Sequence, residues 1–166
     1  IVAIVLKYRM PHGTPEVPVA DAEQAMKLAR LNAASWKINR NDVGIMGFSA
    51  GGHLAATVAT LSRGEAKPNF QILFYPVISM TEGYGHARSY KNFLGKRPSK
   101  HEQRKYSADL NVSRATPRAF IALSDDDDTV RRQLLHRALS QRCACVAPCL
   151  SGRRTWLGKQ DWLPLS

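Results

Sequence analysis

The sequence predicts an α/β fold, a mostly parallel sheet flanked by helices. Three observations carry this. Short apolar runs at 1–8, 43–46, 71–75 and 118–124 have the length and composition of buried strands. Helical patterns separate the first three, and alternation of strand and helix is the signature of parallel strands joined by crossovers. Between the strand at 43–46 and the helix at 50–61 stands Gly47-Phe48-Ser49-Ala50-Gly51, a Gly-x-Ser-x-Gly turn.

Taken in order, Ile1-Val2-Ala3-Ile4-Val5-Leu6 opens a run that is apolar throughout, as in a parallel strand covered on both faces. It has no initiating Met and no basic n-region, so it reads as a core strand rather than a signal peptide, and the chain reads as a fragment. Residues 9–18 form a Pro- and Gly-rich loop. Asp21 is a candidate N-cap for an amphipathic helix over 22–38, with Ala22, Ala25, Leu28, Ala29 and Trp36 on its apolar side. Asn39-Arg40-Asn41-Asp42 is a turn, and Pro76 ends the strand at 71–75. Residues 79–117 are polar with scattered Gly and Pro, which predicts a loop or cap region with one or two helices, one near 99–106. There are no internal repeats. At 166 residues the chain holds one domain at most.

A strand entering Gly-x-Ser-x-Gly and leaving as a helix is the nucleophile elbow of an α/β-hydrolase, so Ser49 is the candidate nucleophile. A serine hydroxyl is a weak nucleophile. It needs a base beside it and N–H donors for the oxyanion. The sharp turn lifts Ser49 above the sheet, and Gly47 and Gly51 are expected because bulkier residues would clash there. The Ala50 N–H, at the helix N-terminus, is the candidate oxyanion donor. A second signal is Ser124 followed by Asp125-Asp126-Asp127-Asp128-Thr129-Val130 at the end of the last apolar run. The run fits an acidic surface loop or a metal loop as well as a catalytic acid. The chain order, Ser before Asp, favours the acid, and the spacing to Val130 favours Asp127. Its role would be to orient a histidine and stabilise the imidazolium. Asp125, Asp126 and Asp128 then serve as solvated or capping residues.

The net charge of +11 would by itself point to nucleic acid. Its distribution points away from it: residues 1–130 carry +5 and the last 36 residues carry +6. The same 36 residues hold Cys143, Cys145 and Cys149 and two of the three Trp. That cysteine spacing fits no common zinc pattern. No metal set, phosphate loop or dinucleotide fingerprint is present, so neither a metal nor a cofactor is expected. No apolar run is long enough to span a membrane as a helix, and neither a membrane nor a nucleic acid is expected as a partner.

Tyr8 to Gly13, Asp21-Ala22, Asn41 to Gly44, Gly47 to Ala55, Phe74 to Ile78 and Ser124 to Val130 together resemble the bacterial acetylesterase or xylan-esterase-like α/β-hydrolases. The resemblance runs nearly continuously over 1–130. It implies a Ser–His–Asp carboxylesterase acting on small-molecule or polysaccharide esters, commonly acetylated sugars. Ser49 would be the nucleophile, Ala50 an oxyanion donor and Asp127 the acid, with His53 a packing or helix-start residue. Relatives are often secreted or periplasmic. A serine peptidase of the same fold and a non-catalytic basic binding module are the alternatives.

Two departures follow. The family's Gly-rich oxyanion loop would lie upstream of Ile1. Its catalytic histidine, in a Gly-Gly-His-Gly-Trp-type loop, has no counterpart in the printed frame. His136 alone follows Asp127, and it falls inside the expected next helix; His12, His86 and His101 precede the acid. With 1–130 as the hydrolase core, 131–166 is expected to be a poorly structured tail read out of frame. Codons started one base later permit the missing motif, with the histidine encoded across Thr155 and Trp156.

Overall fold

The computed structural model describes residues 1–81 and 87–122. The elements are α1 (Glu16–Leu31), β1 (Ile45–Phe48), α2 (Ser49–Leu61), β2 (Phe70–Phe74), α3 (Ala87–Leu94), α4 (Lys100–Lys105) and β3 (Arg118–Ala122). Single 3-10 turns stand at Gly64–Ala66 and Ala108–Leu110. The strands form a parallel sheet in the order β1-β2-β3. Phe48 pairs with Phe74 and Phe74 with Ala122, so the C-terminal ends of all three strands lie in one row.

Period-two alternation decides which side chains meet the helices. Leu73 of β2 and Ala119 and Ile121 of β3 face inward onto Ala55 and Ala56 of α2 and onto Ile78 and Ala108. Alanine on the helix face lets α2 lie close against the strands, and Val58 and Ala59 are fully buried. Val58 and Leu54 pack on Ala22 of α1, with Tyr8, Val19 and Ile45 at the rim. A third cluster joins Val77 and Met80 to Phe93, Leu94 and Tyr106 and so fastens α3 and α4 to the rest. The opposite sheet face carries Met46 and Phe48, 58% and 46% exposed, and a Phe48–Phe74 stack with centroids 4.7 Å apart.

Several boundaries differ from the sequence reading. Residues 1–8 join no ladder: Ile1 to Leu6 lie exposed, and only Tyr8 packs inward. An apolar run becomes a strand only where a sheet edge accepts its N–H and C=O groups, and among the described residues β1 pairs with β2 alone. The first helix begins at Glu16, not after Asp21, and ends at Leu31 rather than 38. Pro15 and Pro18 read as loop residues, yet a proline in a helix's first turn loses no hydrogen bond, because those N–H groups have no intrahelical acceptor. Asp21 is therefore mid-helix. It accepts from the Arg9 backbone N–H at 2.9 Å and from its guanidinium at 2.6–3.2 Å. Asn32 stops the helix by donating its side-chain amide to Leu28 O, which leaves Trp36 in the following turn, 40% exposed. Buried Arg30 ties the end of the helix to the turn at 39–42 and to the 3-10 turn at Gly64–Ala66, donating to the carbonyls of Glu65 (2.9 Å), Lys67 (2.6 Å) and Arg40. The helix near 99–106 is present as α4. It opens with a capping box in which Ser99 Oγ accepts from Glu102 N–H and the Glu102 carboxylate accepts from Ser99 N–H.

Candidate active site

Ser49 stands where β1 becomes α2, at φ +49°, the left-handed region that a residue with a Cβ enters at a cost of about 1–2 kcal/mol. Phe48 before it is extended, so the backbone reverses its course within one residue. The consequence is exposure: Ser49 and Ala50 are both on the surface, at the C-terminal edge of the parallel sheet. No side chain caps α2. The N–H of Ala50 has no intrahelical acceptor and lies at the positive end of the helix, where an oxyanion would be stabilised.

The turn depends on glycine, but at only one of the two positions the motif suggests, together with a third. A Cβ on Gly47 would sit 2.2 Å from Gly51 O, within the nucleophile helix's own backbone. A Cβ on Gly52 would sit 2.9 Å from Pro76 Cβ. Gly51 itself has room: its nearest neighbour would be Tyr8 Oη at 3.9 Å. The expected clash at Gly51 is therefore corrected. Its carbonyl is the wall that Gly47 must avoid, and Gly52 is the second tight position. Sequence reasoning missed Gly52, although Pro76, which closes β2, was the signal. The chain leaving β2 bends back at Tyr75, φ +36°, and the Val77 N–H reaches Ser49 O at 3.4 Å. The loop after β2 thus braces the elbow.

His53, one turn along α2 from Ser49, is 1% exposed. Its Nε2–H donates to Tyr106 O at 2.8 Å, which fixes the tautomer, since a carbonyl can only accept. Its ring meets Phe93 edge-on at 4.5 Å. Burial drives its pKa from 6.5 down to about 4, partly opposed by the bond to the Tyr106 carbonyl. A neutral, buried ring with its proton committed to a backbone carbonyl packs and anchors; it does not serve Ser49 as a base. His12 and His101 are exposed. Asp127, His86, His136 and the whole tail at 131–166 lie outside the described residues. Ala122, at the end of β3, shares a row with Phe48. Strand spacing puts those two positions roughly 10 Å apart, two ladder widths. Among the described residues no cluster of His, Cys, Asp and Glu could hold a metal ion, and no helix is long and apolar enough to cross a membrane.

An elbow serine on a parallel sheet defines a class, and comparison with known proteins agrees. Residues 1–150 match the α/β hydrolase fold family, and the chain belongs to it. It is 50% identical over 133 residues, 78% of its length, to an acetylxylan esterase of Xylanibacter ruminicola. It is 32% identical over 124 residues to endo-1,4-beta-xylanase B of Butyrivibrio fibrisolvens. These matches span 28% and 19% of the two enzymes, so the chain corresponds to less than a third of either. Among solved structures it resembles an acetyl ester-xyloside bifunctional hydrolase of Caldicellulosiruptor lactoaceticus. The identity is 34% and the TM-score 0.72, over 81% of this chain and 54% of that one.

Proposed function

We propose that this chain is the nucleophile-bearing part of a serine carboxylic-ester hydrolase that removes acetyl groups from xylan-type polysaccharides or acetylated sugars. The observation that carries the proposal is Ser49: exposed, held at φ +49°, and set at the C-terminal edge of a parallel sheet beside the unpaired N-terminus of α2. The likeness to acetylxylan esterase supports the substrate class.

In this reading Ser49 Oγ attacks the acetyl carbonyl while a histidine takes its proton. The Ala50 N–H stabilises the oxyanion together with a donor from outside this segment. As the bond between the acetyl carbon and the sugar oxygen breaks, the histidine gives the proton to that oxygen, and water then releases acetate from the acyl-enzyme. Asp127 would orient the histidine. That histidine would be supplied by the alternative frame across Thr155 and Trp156, so the printed chain has little or no turnover.

The experiment is a p-nitrophenyl acetate assay of two proteins. The full-length, frame-corrected gene product should hydrolyse the ester, and Ser49→Ala should lower kcat by at least about 10³-fold. The printed chain should show no Ser49-dependent burst. A clear burst from it, or an intact reading frame without that histidine codon, refutes the frame reading. Faster cleavage of peptide than of ester substrates by the full-length product refutes the esterase reading.

A further inference from the structure

The segment from Lys91 to Lys105 has a concentration of charge that neither the fold nor the elbow explains. It holds six Lys and Arg against one carboxylate, net +5 in 15 residues, whereas residues 1–81 carry only +3. In the first 81 residues several cations have structural partners. Arg9 is held by Asp21, Arg40 by Glu65, and Arg30 is buried on three carbonyls. In the segment, Lys105 lies 3.5 Å from Glu16 and over the Tyr106 ring. The single carboxylate, Glu102, is occupied by the N–H and hydroxyl of Ser99. Lys91, Lys96, Arg97, Lys100 and Arg104 are exposed and have no ion pair among the described residues.

Position makes this patch more than a solvated face. The segment is tied directly to the nucleophile helix: Phe93 of α3 meets the His53 ring at 4.5 Å, and the Tyr106 carbonyl after α4 accepts from the same ring. His53 is four residues, about 6 Å along the axis, from Ser49. The segment's buried side chains thus pack on the nucleophile helix one turn from Ser49, while its cations face solvent.

We propose that the cationic face formed by Lys91, Lys96, Arg97, Lys100 and Arg104 binds carboxylate groups on an acidic acetylated polysaccharide, so that uronate-bearing xylan is the preferred substrate. The inference rests on the esterase reading and adds the charge class of the polymer. Spaced point charges on exposed side chains suit a flexible polyanion whose carboxylates recur along the chain, and they raise its local concentration at the site. Single-stranded nucleic acid is the other polyanion, but it is held by cations together with exposed aromatic platforms. Phe93, the aromatic side chain within 91–105, is buried.

The test compares acetylated xylo-oligosaccharides with and without a glucuronic acid branch, using the full-length gene product. The expected charged-to-neutral ratio of kcat/KM is about 3–10 at 20 mM NaCl and about 1–2 at 500 mM, since exposed pairs are weak and salt screens them. The fourfold variant K96Q/R97Q/K100Q/R104Q should bring the low-salt ratio close to one. A parallel reading on Ser49→Ala, retardation in native gels containing glucuronoxylan, should show salt-sensitive binding that the fourfold variant loses. A ratio of one at both salts, or a ratio and retardation unchanged in the variant, overturns the proposal. Binding of a labelled single-stranded DNA that the variant abolishes, with no preference between the oligosaccharides, reassigns the face to nucleic acid. Absence of Ser49-dependent hydrolysis of p-nitrophenyl acetate would instead refute the esterase reading, while gel retardation still reports on the cationic face.

Discussion

Acidification should destabilise this protein through His53. The folded pKa is about 4, because the ring is buried and uncharged, whereas an unfolded histidine has its ordinary 6.5. The folded value is the lower one. Between pH 6.5 and 4 the unfolded chain therefore binds a proton that the folded chain refuses, and stability falls as pH falls. The stabilisation is intact above pH 6.5 and is lost progressively down to pH 4. Two and a half pH units at about 1.4 kcal/mol each give a full effect of roughly 3 kcal/mol, of which about 2 kcal/mol is lost by pH 5. That is a large share of a net stability of about 5–15 kcal/mol. Glu16 and Glu102 are held below the usual carboxylate range by hydrogen bonds from Tyr106 and Ser99 respectively, so their contribution falls away only at more acid pH. Urea unfolding followed by circular dichroism at pH 7.5, 6.0 and 5.0 measures the slope. His53→Gln removes the titrating group. It should be less stable than wild type at pH 7.5, from lost packing on Phe93, but flat to within about 0.5 kcal/mol down to pH 5. A wild-type slope that survives in His53→Gln, or no slope in wild type, refutes the assignment of a buried neutral ring.

Four further outcomes are expected. Gly47→Ala should destabilise by about 3 kcal/mol or more, because its Cβ meets the Gly51 carbonyl at 2.2 Å, while Gly51→Ala should stay within about 1 kcal/mol; thermal melts of the two compare them directly. Thr57→Val should stabilise by about 1 kcal/mol, since the buried Thr57 hydroxyl has no partner among the described residues; a lower urea midpoint in the variant would count against this. Ser99→Ala should lose about 1 kcal/mol by removing the capping box of α4, measured by the same unfolding assay. Asp21→Asn should speed amide exchange at Arg9, whose N–H Asp21 accepts at 2.9 Å. In wild type that protection should persist well into acid, because the Arg9 guanidinium holds the Asp21 pKa at about 2.

Much of the architecture could be read directly because it rests on local pattern. The strands at β2 and β3 have five residues of strand-forming composition each, and the elbow has a strand on one side and an alanine-rich helix on the other. The helix expected near 99–106 is α4, and the structure shows Ser99 and Glu102 closing its first turn as a capping box. The failures share one cause. Residues 1–8 have the composition of a strand but not the partner, and Pro15 and Pro18 look like loop residues until the helix that tolerates them is seen. Asp21 has the chemistry of an N-cap, but Arg9 claims it from twelve residues away.

The sequence by itself determined the class: alternating apolar segments and a Gly-x-Ser-x-Gly turn specify a parallel sheet with a serine raised at its edge, because period and turn chemistry act over a few residues. Tertiary structure alone decided which glycine is indispensable, since the obstacle at Gly47 is the backbone of a turn folded back upon it. It also decided that His53 is an anchor. A histidine's charge and reach depend on what buries it, and Phe93 and Tyr106, which do so, lie 40 and 53 residues further along the chain.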